Sequence, residues 1–274
     1  MMVKKFIWAS LALAMTALSA SAQYDGDEDF EFGCLRHYSL SVGAGTTGIS
    51  GDVGTMIGKH VGVRLGIDYM PKISYNTKLD LNVSEGIRSQ CPGLPSEVEV
   101  KGRFENNSAH ALFDVYPFNN SGFHVTVGAY FAKQDKVVTV YSEDRLALQE
   151  VADFNNRQGK YADVPDSYGQ IALKLGKYDI KPDKYGNAEA FINVKKVRPY
   201  AGLGFGRAVP GESRVNCQFD LGVQFWDEPE VYNGVTGERL TKEGAGNGGG
   251  GIIQTISKIK VFPVASLRVS CRLF

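Results

Sequence analysis

The sequence predicts an all-β fold: an eight-stranded antiparallel up-and-down transmembrane β-barrel with three long extracellular loops. The main observation is a regular alternation of apolar residues with small or charged ones, which gives the two faces of a strand different chemistry. In residues 61–69 the odd positions are apolar, whereas the even positions are Gly62, Arg64, Gly66 and Asp68. Glycine and ions on the polar face indicate a barrel with lipid outside and a narrow lumen inside.

Composition supports a barrel and excludes two other classes. The 274-residue chain has no run of 18 or more apolar residues beyond its N-terminal leader, so no membrane-spanning helix is predicted. Of its 30 Lys and Arg residues, loss of Lys4 and Lys5 with the leader leaves 28 against 30 Asp and Glu. This slight acidic excess gives no support for nucleic-acid binding.

The leader, residues 1–22, has the pattern of a secretory signal peptide. Lys4 and Lys5 precede an apolar run, and the small residues Ala20-Ser21-Ala22 form a cleavage site before Gln23. The alternative, an N-terminal membrane anchor, is disfavoured because the apolar run is too short to span a bilayer.

The mature chain is expected to form a single barrel domain preceded by a lead-in segment. The acidic residues 23–37 form a periplasmic lead-in, and residues 38–274 form the barrel.

The strands follow from the alternation and are separated by turn-rich segments. A change of parity near Asn106 is interpreted as a β-bulge. The segments 71–95, 141–190 and 227–259 are interpreted as long loops, with a weak helical pattern over 143–154. The eight predicted strands cover residues 38–45, 49–58, 61–69, 98–117, 123–140, 194–209, 215–225 and 261–274.

The order of short and long connections predicts an orientation. Connections after the second, fourth and sixth strands are short, and those after the third, fifth and seventh are long. With the N-terminus in the periplasm, all three long loops lie outside the cell, as in outer-membrane barrels. An even number of strands also permits closure, which the membrane demands because an open edge would leave backbone groups unpaired in hydrocarbon.

The inward positions predict a charge network in the lumen. Lys196 and Arg198 also fall near one end of it. An eight-stranded barrel is only wide enough for its own side chains, so opposite charges there are expected to pair as a structural plug. An ion-conducting path is the alternative. The predicted members are Asp52, Arg64, Asp68, Asp114, Asp220, Arg268 and Arg272.

Histidine and cysteine give no sign of a catalytic or metal centre. Of the four histidines, His110 and His124 point inward on adjacent strands, and we favour a hydrogen-bonded lumen pair over a metal or acid–base site. The four cysteines form no C-x-x-C pair. Cys217 and Cys271 share the apolar parity of the last two strands and are either small hydrophobic residues or a cross-strand pair.

No activity follows from known catalytic motifs. The chain has no G-x-S-x-G elbow or P-loop, so no enzyme and no cofactor is predicted. An outer-membrane lipid-modifying enzyme is the less favoured alternative.

Four segments resemble recurring pieces of small outer-membrane barrels of the OmpA/OmpW-like porin family. The resemblance covers nearly all of residues 38–274 and implies a location in the bacterial outer membrane. The four segments are Tyr200–Gly206, Asp114–Phe118, Asp220–Val223 and Phe262–Leu267.

The resemblance also implies partners. Phe274 resembles the C-terminal aromatic that serves as an insertion signal for the barrel-insertion machinery, although Leu273 rather than Phe274 falls on the apolar parity. The expected role is structural or surface-interaction, with outer-membrane lipid around the barrel and an extracellular ligand for the tyrosine-rich loops. A narrow passive pore for ions or small solutes is the alternative.

Overall fold

The structure is a computed structural model that describes residues 33–119, 121–175, 178–211, 213–240 and 260–273. The predictions for the signal peptide 1–22, for Phe274 and for most of the lead-in 23–37 lie outside the described residues. In chain order the elements are β1 (Cys34–Gly45), β2 (Gly48–Ile57), β3 (Val61–Tyr69), β4 (Ile73–Asp80), α1 (Glu85–Gln90), β5 (Glu97–Phe104), β6 (Ser108–Val115), β7 (His124–Ala132), β8 (Lys136–Ser142), α2 (Arg145–Asn155), β9 (Leu173–Leu175), β10 (Tyr178–Ile180), β11 (Glu189–Asn193), β12 (Val197–Phe205), β13 (Val215–Phe225), β14 (Glu230–Asn233) and β15 (Val261–Arg272).

Eight strands close into an antiparallel barrel, which confirms the all-β, eight-stranded architecture that was predicted. Around the ring they follow chain order, β1-β2-β3-β6-β7-β12-β13-β15, and every neighbouring pair is antiparallel. The ring closes where β1 pairs with β15, with Leu40 opposite Cys271 and Ala44 opposite Leu267. No edge strand is therefore left in the barrel.

The predicted alternation is visible along every barrel strand. In β3, Leu65 is 57% exposed on the outer surface, whereas Arg64 beside it is 1% exposed in the lumen. The barrel therefore buries its polar face and exposes its apolar face. Among the described residues, no helix has the length and hydrophobicity needed to cross a bilayer.

The segments expected to be loops fold together into a second unit, which we call the cap. A five-stranded sheet in the order β14-β11-β8-β5-β4 and a two-stranded sheet of β9 and β10 form it, with α1 and α2. The cap lies at the end of the barrel where β3, β7 and β13 finish, the cap end. The opposite, short-turn end carries the connections 58–60, 116–123 and 206–214.

Two of the predicted strands are each two strands, because the chain passes between the cap and the barrel within them. The predicted strand 98–117 divides into β5 and β6, and the predicted strand 123–140 divides into β7 and β8. The change of parity near Asn106 is not a bulge. Even-numbered residues are buried on both sides of it, but they are apolar in β5 (Val98 and Val100) and, except for Leu112, polar in β6. The buried side changes from an apolar core to a polar lumen.

The cap has its own apolar core. α2 closely matches the weak helical pattern; its N-terminal Asp144 accepts a hydrogen bond from the backbone N–H of Ala147 at 3.2 Å. One face of this helix packs on the five-stranded sheet. Core members include Leu79, Val98, Val140, Leu148, Val151, Phe154, Ile192 and Val231.

Candidate functional site in the barrel lumen

The lumen brings six of the seven predicted charges into one buried network, contributed by β2, β3, β6, β13 and β15. The seventh, Arg272, lies at the short-turn end, where its guanidinium donates a hydrogen bond to the carbonyl of Gly211. The six are Asp52, Arg64, Asp68, Asp114, Asp220 and Arg268.

Two arginines link three of the carboxylates into a chain. The Nε and Nη2 atoms of Arg64 lie 2.6 and 2.7 Å from the two carboxylate oxygens of Asp114. Nη2 also lies 3.2 Å from Asp220 Oδ1. Arg268 pairs with the other oxygen of Asp220, and its Nε lies 3.3 Å from Asp52 Oδ2. Because each charge has a partner, the cost of burying these ions is reduced.

His110 joins the network between two carboxylates. Its Nδ1 lies 2.7 Å from Asp68 Oδ2, and its Nε2 contacts Asp52 Oδ1. A neutral imidazole has only one N–H, so hydrogen bonds to both carboxylates require an imidazolium or a protonated carboxyl group. This trio of side chains therefore holds one more proton than a neutral histidine with two carboxylates would.

The second lumen histidine, His124, also contacts a carboxylate. Its Nε2 lies 2.9 Å from Asp220 Oδ1, and its Nδ1 lies 3.0 Å from the carbonyl oxygen of Gly122. The structure thus gives His110 and His124 carboxylate partners, where the sequence had suggested a pair with each other. Two arginines and two protonated histidines would match the four network carboxylates. In the sequence, the sign that these histidines would contact carboxylates was that both occupy inward positions, as the acids do.

Hydroxyl groups complete the hydrogen bonding of two carboxylates. Thr126 donates to Asp114 Oδ1 at 2.7 Å, and Thr47 donates to Asp68 Oδ1 at 3.0 Å. Ser108 donates to the other oxygen of Asp68 at 3.3 Å. Sequence reasoning did not assign these three residues to the network, because small hydroxyl side chains are common on strands and in turns.

Two glycines make room for the histidine–carboxylate contacts. A Cβ atom at Gly66 would lie 2.3 Å from Asp52 Oδ1 and 2.7 Å from His110 Nε2. A Cβ atom at Gly204 would lie 2.3 Å from His124 Nε2. Glycine on the polar face therefore permits the ions to meet in so narrow a lumen.

One part of this network has the composition of a metal site. Among the described residues, ligand atoms of Asp114, His124 and Asp220 lie within 4.8 Å of one another. The guanidinium of Arg64 already supplies a positive charge to both of these carboxylates. The arrangement therefore favours an internal ion pair over a metal ion.

The short-turn end of the lumen is closed by a basal cluster: Met56, Tyr116, Ala208 and Val209, all fully buried. The connection 206–214 holds Ala208 there. The N–H of Ala208 donates to the hydroxyl of Tyr116 at 2.8 Å, and its carbonyl accepts from Ser39 Oγ at 2.6 Å. This connection folds into the barrel mouth and does not line an opening.

The cap end is closed by aromatic residues. Trp226 and Phe262 stack with ring centroids 4.7 Å apart, and Phe104 lies 6.5 Å from Trp226. Beneath them, Tyr130 and Tyr200 meet edge to face at 5.4 Å. Apolar packing thus continues from the barrel mouth into the cap core.

Outside the lumen, a charged cleft of about 560 Å³ lies where the cap meets the barrel. Asp135, Asn193, Lys195 and Asp227 are among the residues that line it. A hydrogen bond to Asp227 raises the pKa of Lys195, and the same bond lowers the pKa of Asp227. Both side chains are exposed, so solvent screens this pair and its contribution to stability is small.

Comparisons with known proteins find similarity only among solved structures. No family model matches the chain, and no curated protein matches it by sequence. The crystal structure of CarO2 from Acinetobacter baumannii is similar at 15% identity and a TM-score of 0.43, covering 86% of this chain and 98% of that one. The crystal structure of CarO from the same organism is similar at 16% identity and a TM-score of 0.41, covering 86% and 96%.

Proposed function

We propose that this chain is an outer-membrane β-barrel protein with a lumen plugged by its own charges and a structural or surface-interaction role. In this proposal the barrel is the scaffold in the membrane, and the cap is the surface that faces the cell exterior. We also propose that the signal peptide 1–22 directs export and that Phe274 is the insertion signal used in assembly. The first is expected from the residue pattern of the leader, and the second from the resemblance to OmpA/OmpW-like barrels.

The observation that carries the proposal is the reversed polarity of the barrel. Soluble monomers rarely expose apolar patches larger than a few hundred Å², yet this barrel exposes large apolar side chains on all of its strands. Their strands have 8 to 12 residues, close to the roughly 9–11 residues that cross a bilayer at a tilt. The exposed residues include Leu40, Val42, Val53, Leu65, Ile67, Phe113, Val127, Phe131, Leu203, Phe205, Leu221 and Phe225.

A paired substitution tests the lipid-facing surface. We expect Leu65→Lys to destabilise the protein in liposomes, because a lysine near the bilayer midplane of a barrel costs about 2–4 kcal/mol. Leu146→Lys is the matched control, since Leu146 is 84% exposed on the cap. Urea unfolding from liposomes measures both. Equal stability of the two variants would contradict a membrane around the barrel.

The closed lumen favours a structural role over the passive pore. The basal cluster, the charge network and the aromatic residues at the cap end fill the barrel in succession. We therefore expect purified protein in planar bilayers to show no steady conductance. Steady openings would overturn the plug and support a narrow pore for ions or small solutes.

The cap is the proposed recognition surface. It is a folded platform, and Tyr75 and Tyr185 are exposed on it; recognition in proteins concentrates on such surfaces above a rigid scaffold. Its location outside the cell can be tested with single cysteines in a cysteine-free background. A membrane-impermeant maleimide should label position 146 on intact cells and should label position 59, in the short turn, only after lysis. The reverse pattern would place the cap in the periplasm.

A further inference from the structure

Among the described residues, a cation buried in the mouth of the barrel under the cap makes no ion pair with a carboxylate. Arg198, the first inward residue of β12 at this end, is fully buried. Its Nε donates to the carbonyl of Lys195 at 2.9 Å and its Nη1 donates to Asn106 Oδ1, while Nη2 has no hydrogen-bond partner. Asp135 is the acid that acts on this guanidinium, but it pairs with Lys196 at 3.4 Å. Burial of an unpaired charge is costly, so a counter-charge is expected here.

Two neutral donors beside Arg198 also have no acceptor within the part of the chain that the structure describes. The amide of Asn106 is oriented by Arg198, because a guanidinium can only donate and must face Oδ1; the Nδ2 group of Asn106 is left without an acceptor. Gln224 is oriented in the same way. The indole N–H of Trp226 donates to Gln224 Oε1 at 3.1 Å, which leaves the Nε2 group of Gln224 unpaired.

Direct contacts connect these residues into one site. The Arg198 guanidinium lies 5.2 Å from the centroid of the Trp226 ring, and Trp226 contacts Gln224. Asn106, Arg198 and Gln224 are each at most 2% exposed. Every unpartnered group on them is a hydrogen-bond donor, and one is positively charged. Because buried donors require acceptors and one of these donors is charged, the site is suited to an acceptor with negative charge.

We propose that this junction site binds a small inorganic anion of the size of chloride. Arg198 supplies the charge, and Asn106 and Gln224 supply neutral N–H donors around it. The ring of Trp226 covers one side, so a bulky anion does not fit. Lys195, whose carbonyl accepts a hydrogen bond from Arg198, also lines the 560 Å³ cleft, which is the proposed entry route. The assignment does not depend on the proposed function.

Bromide is a suitable probe, because it replaces chloride and scatters anomalously. Crystals of the full-length protein soaked in sodium bromide should show an anomalous peak within hydrogen-bond distance of Arg198 Nη2 and Asn106 Nδ2. In solution, bromide should raise the midpoint of thermal unfolding by about 2–4 °C relative to sodium gluconate at equal ionic strength. An ordered water and no peak at this position, or equal midpoints in the two salts, would overturn the proposal.

Variants separate anion binding from stability. Arg198→Met should lose both the peak and the bromide-dependent shift, while Arg198→Lys should keep a weaker shift. Arg103→Met is the matched control, because Arg103 also lies over an aromatic ring, Tyr141, at 5.3 Å, but in the cap. It should keep the full response. If Arg198→Met does not fold, the measurements on the unaltered protein still decide the question.

Discussion

In the barrel the buried faces of the strands are mainly polar, with ions, hydroxyl groups and glycine, whereas in the cap the buried faces are mainly Val, Ile and Leu. The two regions are built from strands that follow one another along the chain. In β11 the buried residues are Ala190 and Ile192, and a few residues later β12 buries Arg198. The comparison shows that the alternation along a strand predicts which residues are buried. Whether those buried residues are polar or apolar then indicates whether the strand belongs to the barrel or to the cap.

The largest expected effect comes from a substitution in the charge network, which tests whether the buried ions stabilise the barrel. Arg64→Met removes the main partner of the Asp114 carboxylate and one of the three cationic partners of Asp220 in a buried lumen. We expect a loss of about 3–5 kcal/mol in the free energy of unfolding, measured by urea unfolding in liposomes. Arg103→Met in the cap should cost far less. If both variants unfold at the same urea concentration as the unaltered protein, the network does not stabilise the barrel.

The cap core gives the next largest effect. Leu148 is fully buried in α2, so Leu148→Ala should leave a cavity and destabilise the cap by about 2–4 kcal/mol. Limited proteolysis should then cleave the cap sooner while the barrel stays intact. Leu146→Ala, on the exposed side of the same helix, is the control and should change little. Simultaneous loss of cap and barrel would show that the two regions unfold as one unit.

Glycines on the inner and outer faces of the barrel differ in how much room a side chain would have. In Gly204→Ala the new Cβ would meet His124 Nε2 at 2.3 Å and Asp220 Oδ1 at 2.7 Å. We expect this overpacking to lower the free energy of unfolding by about 1–3 kcal/mol, which is measured as a lower midpoint of thermal unfolding. Gly51→Ala, whose Cβ meets nothing within 4 Å on the outer face, should be close to neutral. Equal effects would mean that the lumen has spare room.

The smallest effect concerns a turn in the cap. Burial tends to raise the pKa of Asp183, but hydrogen bonds from Asn187 and Tyr185 outweigh it and the net pKa is lowered. Its stabilising effect is therefore complete above the ordinary aspartate pKa of about 3.9 and is lost as pH falls through the lower folded value. Asp183→Ala should cost less than about 1 kcal/mol at pH 7.

Proteolysis of the cap at pH 7 and near pH 3 measures this difference. The gap between the variant and the unaltered protein should narrow at the lower pH. A gap that stays constant would show that ionisation of Asp183 does not matter to the turn.

The barrel was predictable because its register depends on a local rule. Alternation along β3 was enough to place Arg64 and Asp68 inside and Leu65 outside. The same rule placed His110 and His124 in the lumen, but it could not say which acid each would meet. That depends on the stagger between strands, which brings His124 on β7 to Asp220 on β13.

The cap was not predictable, because its sheet joins distant parts of the chain. β8 pairs with β5 on one side and with β11 on the other, across the whole of α2 and the β9–β10 hairpin. The sequence signal was present near Asn106 but was assigned to a bulge. The closure of the short-turn end by Ala208 was missed for a similar reason, since nothing in a Gly- and Pro-containing connection indicates that it folds inward.

The five-stranded sheet draws its strands from three separate excursions of the chain: β4 and β5, then β8 and β11, then β14. An excursion transplanted alone into a related protein would arrive without the hydrogen-bonding neighbours that its strands need. Exchange of surface specificity by recombination would therefore have to move all three excursions together. Point changes at exposed side chains remain the easier route to diversity.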